Sequence, residues 1–244
     1  MDSGLYAACT ALIARTQSLD LAANNLANVN TTGYKSQQTT FRSLLAARTT
    51  DPMSELNRAI NDYAVLGGTR IDSGQGSLEK TENDFDCALQ GPGFFAVQTK
   101  AGVRYTRDGR FQLSANRELV NGEGDLVLGE QGPLRIPSGT LSISNDGTVS
   151  VDGALVGKLK TADFVPNTPL VAEGRTYYSA PPGSEQRARN STVKQGAIES
   201  SNVNPVSAAV DLITLQRHAE LLQRTLSIFH TEFNRAAVEE LPRV

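Results

Sequence analysis

The C-terminal stretch PVSAAVDLITLQRHAELLQRTLSIFHTEFNR, residues 205–235, decides the fold. Asn204 can cap a helix, and Pro205 suits the first helical position because the N–H it lacks would be unpaired there. Apolar residues then recur at alternating steps of four and three, which is the seam of a heptad repeat. The seam consists of Ala208, Leu212, Leu215, Ala219, Leu222, Leu226, Phe229 and Phe233. The stretch predicts a long helix with a narrow apolar stripe that packs against another helix.

A second stripe of the same spacing lies at the N-terminal end. A helix capped by Asp2 or Ser3 would meet no breaking residue before the sequence Asn-Thr-Thr-Gly at 30–33. Its seam consists of Leu5, Cys9, Leu12, Thr16, Leu19, Ala23 and Leu26. We therefore predict a coiled-coil-like domain in which residues 1–35 pair with residues 203–244. The pattern leaves open whether the pair is only an internal hairpin or also packs against copies of the chain.

Asparagines crowd the end of the N-terminal helix. Asn24, Asn25, Asn28 and Asn30 stand within seven positions, although asparagine is a poor helix former. Asparagines at these positions would be explained if their side-chain amides bond neighbouring chains or cap the helix end. We count Asn24, Asn25 and Asn28 with the candidate interface residues.

The middle of the chain changes to a period of two and is rich in turn residues. Strands are predicted on both sides of Gly91-Pro-Gly93, a hairpin at Asp108-Gly109, and a clearer hairpin at Asn145-Asp-Gly147. Residues 76–202 should form a mostly antiparallel β domain, and residues 36–75 an irregular connector with a short helix starting near Asp51. The fold class is α+β, with the β domain inserted between paired terminal helices.

Charge and hydropathy exclude several function classes. The formal net charge is −3 and the basic residues are scattered, so nucleic acid is not an expected partner. No apolar stretch approaches the roughly 20 residues that span a bilayer, so direct membrane insertion is not expected. The N-terminus also lacks the basic segment and apolar run of a cleaved secretory signal.

No catalytic, cofactor or metal site is predicted. His218 and His230 lie 12 positions apart on one helix, about 120° around it, and cannot share a metal. Asp84 and Asp86 could form a carboxylate pair, but the surrounding sequence does not indicate a cleft. Gly74-Gln-Gly76 lacks the lysine and the following helix of a phosphate-binding loop.

Three segments resemble the bacterial flagellar rod, hook and hook-associated protein family. Residues 23–35, ANNLANVNTTGYK, are similar to its N-terminal signature. Residues 90–97, QGPGFFAV, and 105–111, YTRDGRF, resemble its central β-domain signature. Residues 195–206, QGAIESSNVNPV, resemble the approach to its C-terminal helix. The segments follow the family's order and span almost the whole chain.

The resemblance implies a structural subunit of the rod that crosses the periplasm in the flagellar basal body. Family members stack helically through their terminal helices around an export channel, so the implied partners are copies of the chain, other rod proteins and the flagellar type III export apparatus. The short length and the Met-Asp opening resemble the proximal-rod branch most and the distal-rod branch next. The candidate assembly interface is Leu5, Leu12, Leu19, Asn24, Asn25, Leu26, Asn28, Leu212, Leu215, Leu222, Leu226, Phe229 and Phe233.

Two further expectations follow from the family. Phe41-Arg-Ser-Leu-Leu45 resembles the short hydrophobic export motif of early substrates, although the same residues could simply pack in the connector. Because the rod passes through peptidoglycan, which some flagellar proteins cut, a peptidoglycan-active enzyme is the alternative from another function class. A distal-rod or hook subunit is the alternative within the family.

Overall fold

The computed structural model describes residues 2–42, 65–165, 168–188 and 190–239. The chain divides into two compact units. The first comprises residues 1–26, 37–69 and 204–244, and the second comprises residues 27–36 and 70–203. Within the described ranges, no helix has the length and apolar character required to span a membrane.

The first unit contains both terminal helices, α1 (Asp2–Ala27) and α2 (Pro205–Glu239). The predicted cap of α2 is confirmed, because Asn204 Oδ1 accepts hydrogen bonds from the N–H groups of Val206 at 3.0 Å and Ser207 at 3.1 Å. Asn204 thereby satisfies two of the N–H groups that a helix start leaves unpaired.

The seam of α2 is its least exposed stripe, whereas the buried positions of α1 are displaced from the predicted seam. Ala208 is buried and the next five seam residues are half-buried. Among the α1 side chains that the structure describes, from Cys9 onward, Ala14 and Ser18 are buried, while Cys9 and Thr16 are exposed. Alanines and leucines occur all round α1, so the leucine spacing alone does not identify the buried face, and the small side chains allow the closest approach.

The segment predicted as an irregular connector contains two strands. β1 (Gln37–Arg42) and β2 (Val65–Ile71) form a two-stranded sheet. The β-forming residues Thr39, Thr40 and Phe41 explain β1, and the glycine pair 67–68 lies inside β2. The short helix predicted near Asp51 lies outside the described residues.

The second unit is an antiparallel β body, as predicted. Its strands are β3 (Leu78–Lys80), β4 (Cys87–Gln90), β5 (Phe94–Thr99), β6 (Gly102–Thr106), β7 (Gln112–Leu113), β8 (Leu119–Val120), β9 (Leu126–Gly129), β10 (Gly132–Pro133), β11 (Leu141–Ile143), β12 (Thr148–Val151), β13 (Ala154–Lys158), β14 (Thr161–Phe164), β15 (Val171–Glu173), β16 (Tyr177–Ser179), β17 (Glu185–Arg187), β18 (Thr192–Gln195) and β19 (Ala197–Glu199).

One large sheet organises this body. Its main path runs β15-β16-β6-β5-β9-β8-β7, with β10 beside β9 and β14 joining β5 to β17. A three-stranded sheet β11-β12-β13 and the pairs β18-β4 and β19-β3 complete it. The last two pairs bring the end of the body's chain back beside its beginning.

The central strand β5 supplies both hydrophobic cores because successive strand residues point to opposite faces. Phe95 and Val97 belong to a cluster that includes Leu89, while Phe94 and Ala96 belong to a second cluster. The remaining buried members of the first cluster are Cys87, Phe111, Leu119, Val127, Leu134, Ile136, Leu141, Ile143, Val149, Val151, Leu159 and Val193; those of the second are Tyr105, Ala162 and Tyr178.

One of the two predicted hairpins is confirmed and the other is wrong. β11 and β12 pair through Leu141↔Val151 around the Asn145-Asp-Gly147 turn. By contrast, β6 pairs with β5 and β16, and β7 pairs with β8, so Asp108-Gly109 closes no hairpin. The reason is a close approach: a Cβ on Gly109 would lie 1.6 Å from the carbonyl oxygen of Cys87.

The two cysteines should differ strongly in reactivity. Cys87 is fully buried, and burial, assisted by the charge of Asp86, raises the pKa of its thiol to about 12, whereas Cys9 is exposed. At pH 8 a pKa of 12 leaves about a thousandfold less thiolate than an ordinary cysteine has. Iodoacetamide should therefore add one label per folded chain, at Cys9, as measured by intact mass.

The Cys9→Ser variant is the control for this prediction. It should remain unlabelled until it is unfolded in guanidinium chloride, after which Cys87 should react. Labelling of Cys87 in the folded protein at a rate similar to that of Cys9 would contradict the packing of the first core cluster.

Candidate functional site: a buried ionic junction

Three charged residues from distant parts of the chain meet inside the β body. The side chain of Glu199 is 0% exposed, and its Oε1 accepts a hydrogen bond from Lys35 Nζ at 2.5 Å. Its Oε2 accepts another from Arg107 Nη1 at 2.9 Å. Lys35 and Arg107 are themselves buried. We call Lys35, Arg107 and Glu199 the ion triad.

The triad holds two cations and one anion. Backbone carbonyls accept further hydrogen bonds from both cations, whereas the buried Nε of Arg107 has no hydrogen-bond partner among the described residues. Lys35 Nζ also donates to Gly74 O at 2.7 Å. Arg107 donates to Leu89 O at 3.2 Å and Gly91 O at 2.6 Å, and its guanidinium lies 5.4 Å from the centre of the Phe94 ring. Buried charges are tolerated only with such partners.

Burial and pairing act on Lys35 in opposite directions. Burial is the largest influence and lowers the pKa of the Lys35 ammonium from its ordinary value, while the neighbouring Glu199 carboxylate acts to raise it. The Glu199 carboxylate also accepts the N–H of Gly76 at 2.9 Å. The charged form of Lys35 therefore depends on the presence of Glu199.

Glycine is required where the chain enters the junction. Gly33 has a φ of +70°, and a Cβ there would lie 2.2 Å from Asp108 N and 2.3 Å from the Arg107 carbonyl carbon. Its N–H donates to Glu199 O at 2.7 Å. Residue 33 therefore needs both the conformational freedom and the small volume of glycine.

Backbone hydrogen bonds join the segments beside the triad. The Lys35 N–H donates to the Tyr178 hydroxyl at 3.1 Å, and the Ser36 N–H donates to Asn202 Oδ1 at 2.7 Å. Asn202 Nδ2 donates in turn to Asp72 O and Gly74 O, each at 3.1 Å. Burial raises the pKa of the Tyr178 phenol above its ordinary value, so the hydroxyl stays protonated.

Sequence reasoning did not select the triad residues, although each lies within a segment that carried the family resemblance. Lys35 closes the N-terminal segment, Arg107 lies in the central one and Glu199 in the C-terminal one. The available signal in the sequence was a charged residue close to a glycine in each of the three segments. The pairing of Lys35 with Glu199, across 164 positions, has no local periodicity that could reveal it.

The predicted interface asparagines make bonds within the chain. Asn25 Nδ2 donates to Gln37 O at 2.8 Å, and Asn25 Oδ1 accepts the Gln37 N–H at 2.9 Å, so the end of α1 is tied to the start of β1. Asn28 is buried and its Oδ1 accepts the Thr31 hydroxyl at 3.2 Å. The side chain of Asn24 is exposed.

The structure places the predicted apolar interface residues as follows. Seven leucines are half-buried: Leu12, Leu19, Leu26, Leu212, Leu215, Leu222 and Leu226. Leu5 lies in α1, Phe229 and Phe233 lie in α2, and Phe41 lies in β1, but their side chains are outside the described part of the structure, as is the whole of Leu45.

A second apolar stripe on α2 was missed because Arg217 and Arg224 interrupt it in the sequence. We call Val206, Val210, Ile213, Leu221 and Ile228 the outer stripe. Their exposed fractions range from 52% for Ile213 to 73% for Val206. At about 100° per residue, they fall within a sector of about 80° on the face opposite the seam. The exposed Arg217 and Arg224 fall in the same sector, so α2 has an apolar seam on one face and apolar side chains interspersed with arginines on the other.

A polar cleft of about 620 Å³ in the β body bears on the enzymatic alternative. Asp86 and Asp108 line it, but Asp84 does not, so Asp84 and Asp86 do not face it as a pair. The Asp108 carboxylate is bound by Arg110 at 3.0 and 2.8 Å. In the described ranges, no cluster of three or more His, Cys, Asp or Glu residues could hold a metal.

The lack of space for a side chain at residue 33 can be tested by comparing Gly33 with Gly174, a matched glycine. Gly174 has a φ of +72° and nothing near its Cβ position, whereas Gly33 has the same backbone strain and a backbone clash. We expect Gly174→Ala to lower the free energy of unfolding by about 1 kcal/mol and Gly33→Ala by more than about 3 kcal/mol. Urea titration followed by tyrosine fluorescence measures both; equal effects would contradict the close approach at Gly33.

Models of known protein families match the three parts of the chain that contribute the ion triad. The family model for "Flagella basal body rod protein" matches residues 5–35, that for the "Flagellar hook protein FlgE/F/G D1 domain" matches residues 88–151, and that for "Flagellar basal body rod FlgEFG protein C-terminal" matches residues 194–229. Each match contains one residue of the ion triad.

Relatives that match nearly the whole chain are also named as flagellar basal-body rod proteins. The flagellar basal-body rod protein FlgF of Caulobacter vibrioides is 32% identical over 100% of both chains. FlgF of Mesorhizobium japonicum and the rod protein FlgG of Buchnera aphidicola subsp. Acyrthosiphon pisum are each 34% identical, over 93% of this chain and 95% of theirs. The resemblance seen in the three segments is thereby confirmed, and the chain belongs to the bacterial flagellar basal-body rod protein family.

Proposed function

We propose that this protein is a structural subunit of the bacterial flagellar basal-body rod, which polymerises helically through its terminal helices and forms part of the drive shaft of flagellar motility. The observation that carries the proposal is the outer stripe of α2. It leaves five large apolar side chains exposed along one face of a 35-residue helix. Exposed apolar side chains grouped on one face, here interspersed with the exposed Arg217 and Arg224, are typical of a protein interface.

The two faces of α2 have different roles: the seam packs within the chain, and the outer stripe is available for contact with neighbouring subunits. The seam residues are already half-buried in the first unit, so they serve the fold of the chain itself. The outer stripe has no such cover, and burying one of its side chains would contribute about 1.5–3 kcal/mol. A helix with apolar side chains on two opposite faces needs neighbours on both sides, which stacked copies or other rod proteins would supply.

The domain roles follow the predicted boundaries. We assign residues 1–35 and 203–244 to a helical assembly domain in which α1 and α2 pair as a coiled coil, residues 36–75 to a connector, and residues 76–202 to a β domain. Both helices fall in the first unit, and the paired Asn25 and Gln37 bonds tie α1 to the connector, which supports this assignment. The role requires no catalytic residue, cofactor or metal.

The location of the subunit would be the flagellar basal body, as the names of the relatives say of them. The flagellar type III export apparatus would deliver it, with Phe41 and Leu45 as the recognition motif. Phe41 belongs to β1 in the folded chain, so the motif would be read while the chain is unfolded.

Charged residues in the outer stripe should block assembly without unfolding the monomer. We expect the double variant Ile213→Glu, Leu221→Glu to be absent from purified basal bodies and to reduce swimming halos to those of a deletion strain, because both side chains are already in water in the monomer. Leu155→Glu is the matched control, since Leu155 is 74% exposed on β13 of the β body. Motility equal to wild type in the double variant would refute the assembly role of this face.

The opposite face of α2 should respond differently. Leu215→Glu places a charge at a half-buried seam position, so it should lower the helical circular dichroism signal of the free monomer, whereas the outer-stripe variant should not. If the two variants had the same effect on the monomer, the division of contacts between the two faces would be wrong.

A further inference from the structure

Two connections, one at each end of the β body, lie side by side at the ion triad. Residues 33–36 lead into β1, and residues 199–202 lead towards α2. The Gly33 N–H donates to Glu199 O at 2.7 Å, the Asn202 N–H to Tyr34 O at 3.4 Å, and the Ser36 N–H to Asn202 Oδ1 at 2.7 Å. The two connections therefore satisfy each other's backbone groups.

Each connection would leave buried polar groups unpaired without the other. Without residues 199–202, the N–H groups of Gly33 and Ser36 lose these acceptors, and the buried Lys35 ammonium loses its counter-ion. Without residues 33–36, Glu199 loses one of its two cations. An unpaired buried donor is costly and an unpaired buried charge is more so, so neither connection can stay in place alone.

The β body does not depend on the junction in the same way. Arg107 keeps the carbonyl oxygens of Leu89 and Gly91 and the ring of Phe94 whether or not Lys35 is present. The buried members of the two core clusters all fall between Cys87 and Val193. Opening of the junction can therefore remain local, in the manner of sub-global unfolding.

We propose that the ion triad is a latch that makes the anchoring of the N-terminal connection conditional on the C-terminal connection. Residues 33–36 become fixed only when Glu199 and Asn202 have taken their places, more than 160 positions later in the chain. A chain that is incomplete at its C-terminal end then has a folded β body but a free N-terminal connection. Glu199 is the positioning residue of the latch because both cations and the Gly33 N–H bind to it.

Amide hydrogen exchange in the full-length monomer tests the latch. In Glu199→Gln we expect the amides of Gly33 and Ser36 to exchange at least about tenfold faster, while those of Ala96 and Leu159 in the β body change by less than about twofold. Glu185→Gln is the matched control, because it removes a half-buried ion pair, with Lys160, that shares no residue with the triad. It should leave Gly33 and Ser36 unchanged.

The reverse coupling gives an independent test. Lys35→Met retains the Arg107–Glu199 pair, yet it should accelerate exchange of the Asn202 amide on the other connection. Should Glu199→Gln fail to fold, Asn202→Ala, which buries no charge, must still release Ser36. Unchanged exchange at Gly33 and Ser36, or parallel loss of protection throughout the β body, would overturn the latch and leave the triad an ordinary stabilising contact.

Discussion

The position of the two connections, residues 33–36 and 199–202, depends on one buried carboxylate, that of Glu199, which binds cations from two other parts of the chain. Lys35 and Arg107 would be unfavourable in the interior without it, because the low dielectric that strengthens the pairs also penalises each charge alone. The contact therefore selects one arrangement of chain segments rather than adding general stability. It fixes where residues 33–36 and 199–202 lie against each other.

This selectivity explains the unusual density of close backbone contacts near the triad. A Cβ on Gly76 would lie 1.9 Å from Ser200 O, and one on Gly33 would meet the backbone of Arg107 and Asp108. Apolar packing alone tolerates small shifts of whole segments, whereas hydrogen bonds between backbone groups do not. Each triad residue lies in a segment that carries the family resemblance.

The sequence predicted features whose cause is local and missed those whose cause is distant. The Asn204 cap, the α2 seam and the Asn145-Asp-Gly147 hairpin depend on residues within a few positions of one another, and the structure contains all three. Asp108-Gly109 has the same local form as a hairpin turn, but its glycine is required by the backbone of Cys87, which local pattern could not show. The triad depends on the most distant residues, because its members become neighbours only when the sheet is complete.

The two parts of the molecule satisfy opposite physical requirements. The β body buries the apolar side chains of its two core clusters and pairs the charges of the ion triad within one chain, so its core is formed by its own residues. Helix α2 retains exposed apolar side chains along one face, and that face gains stability only when another surface covers it. A subunit of a polymer must remain folded before assembly and still gain free energy from assembly. Placing the ionic pairs in the body and the unsatisfied apolar surface on the helix meets both requirements in one chain.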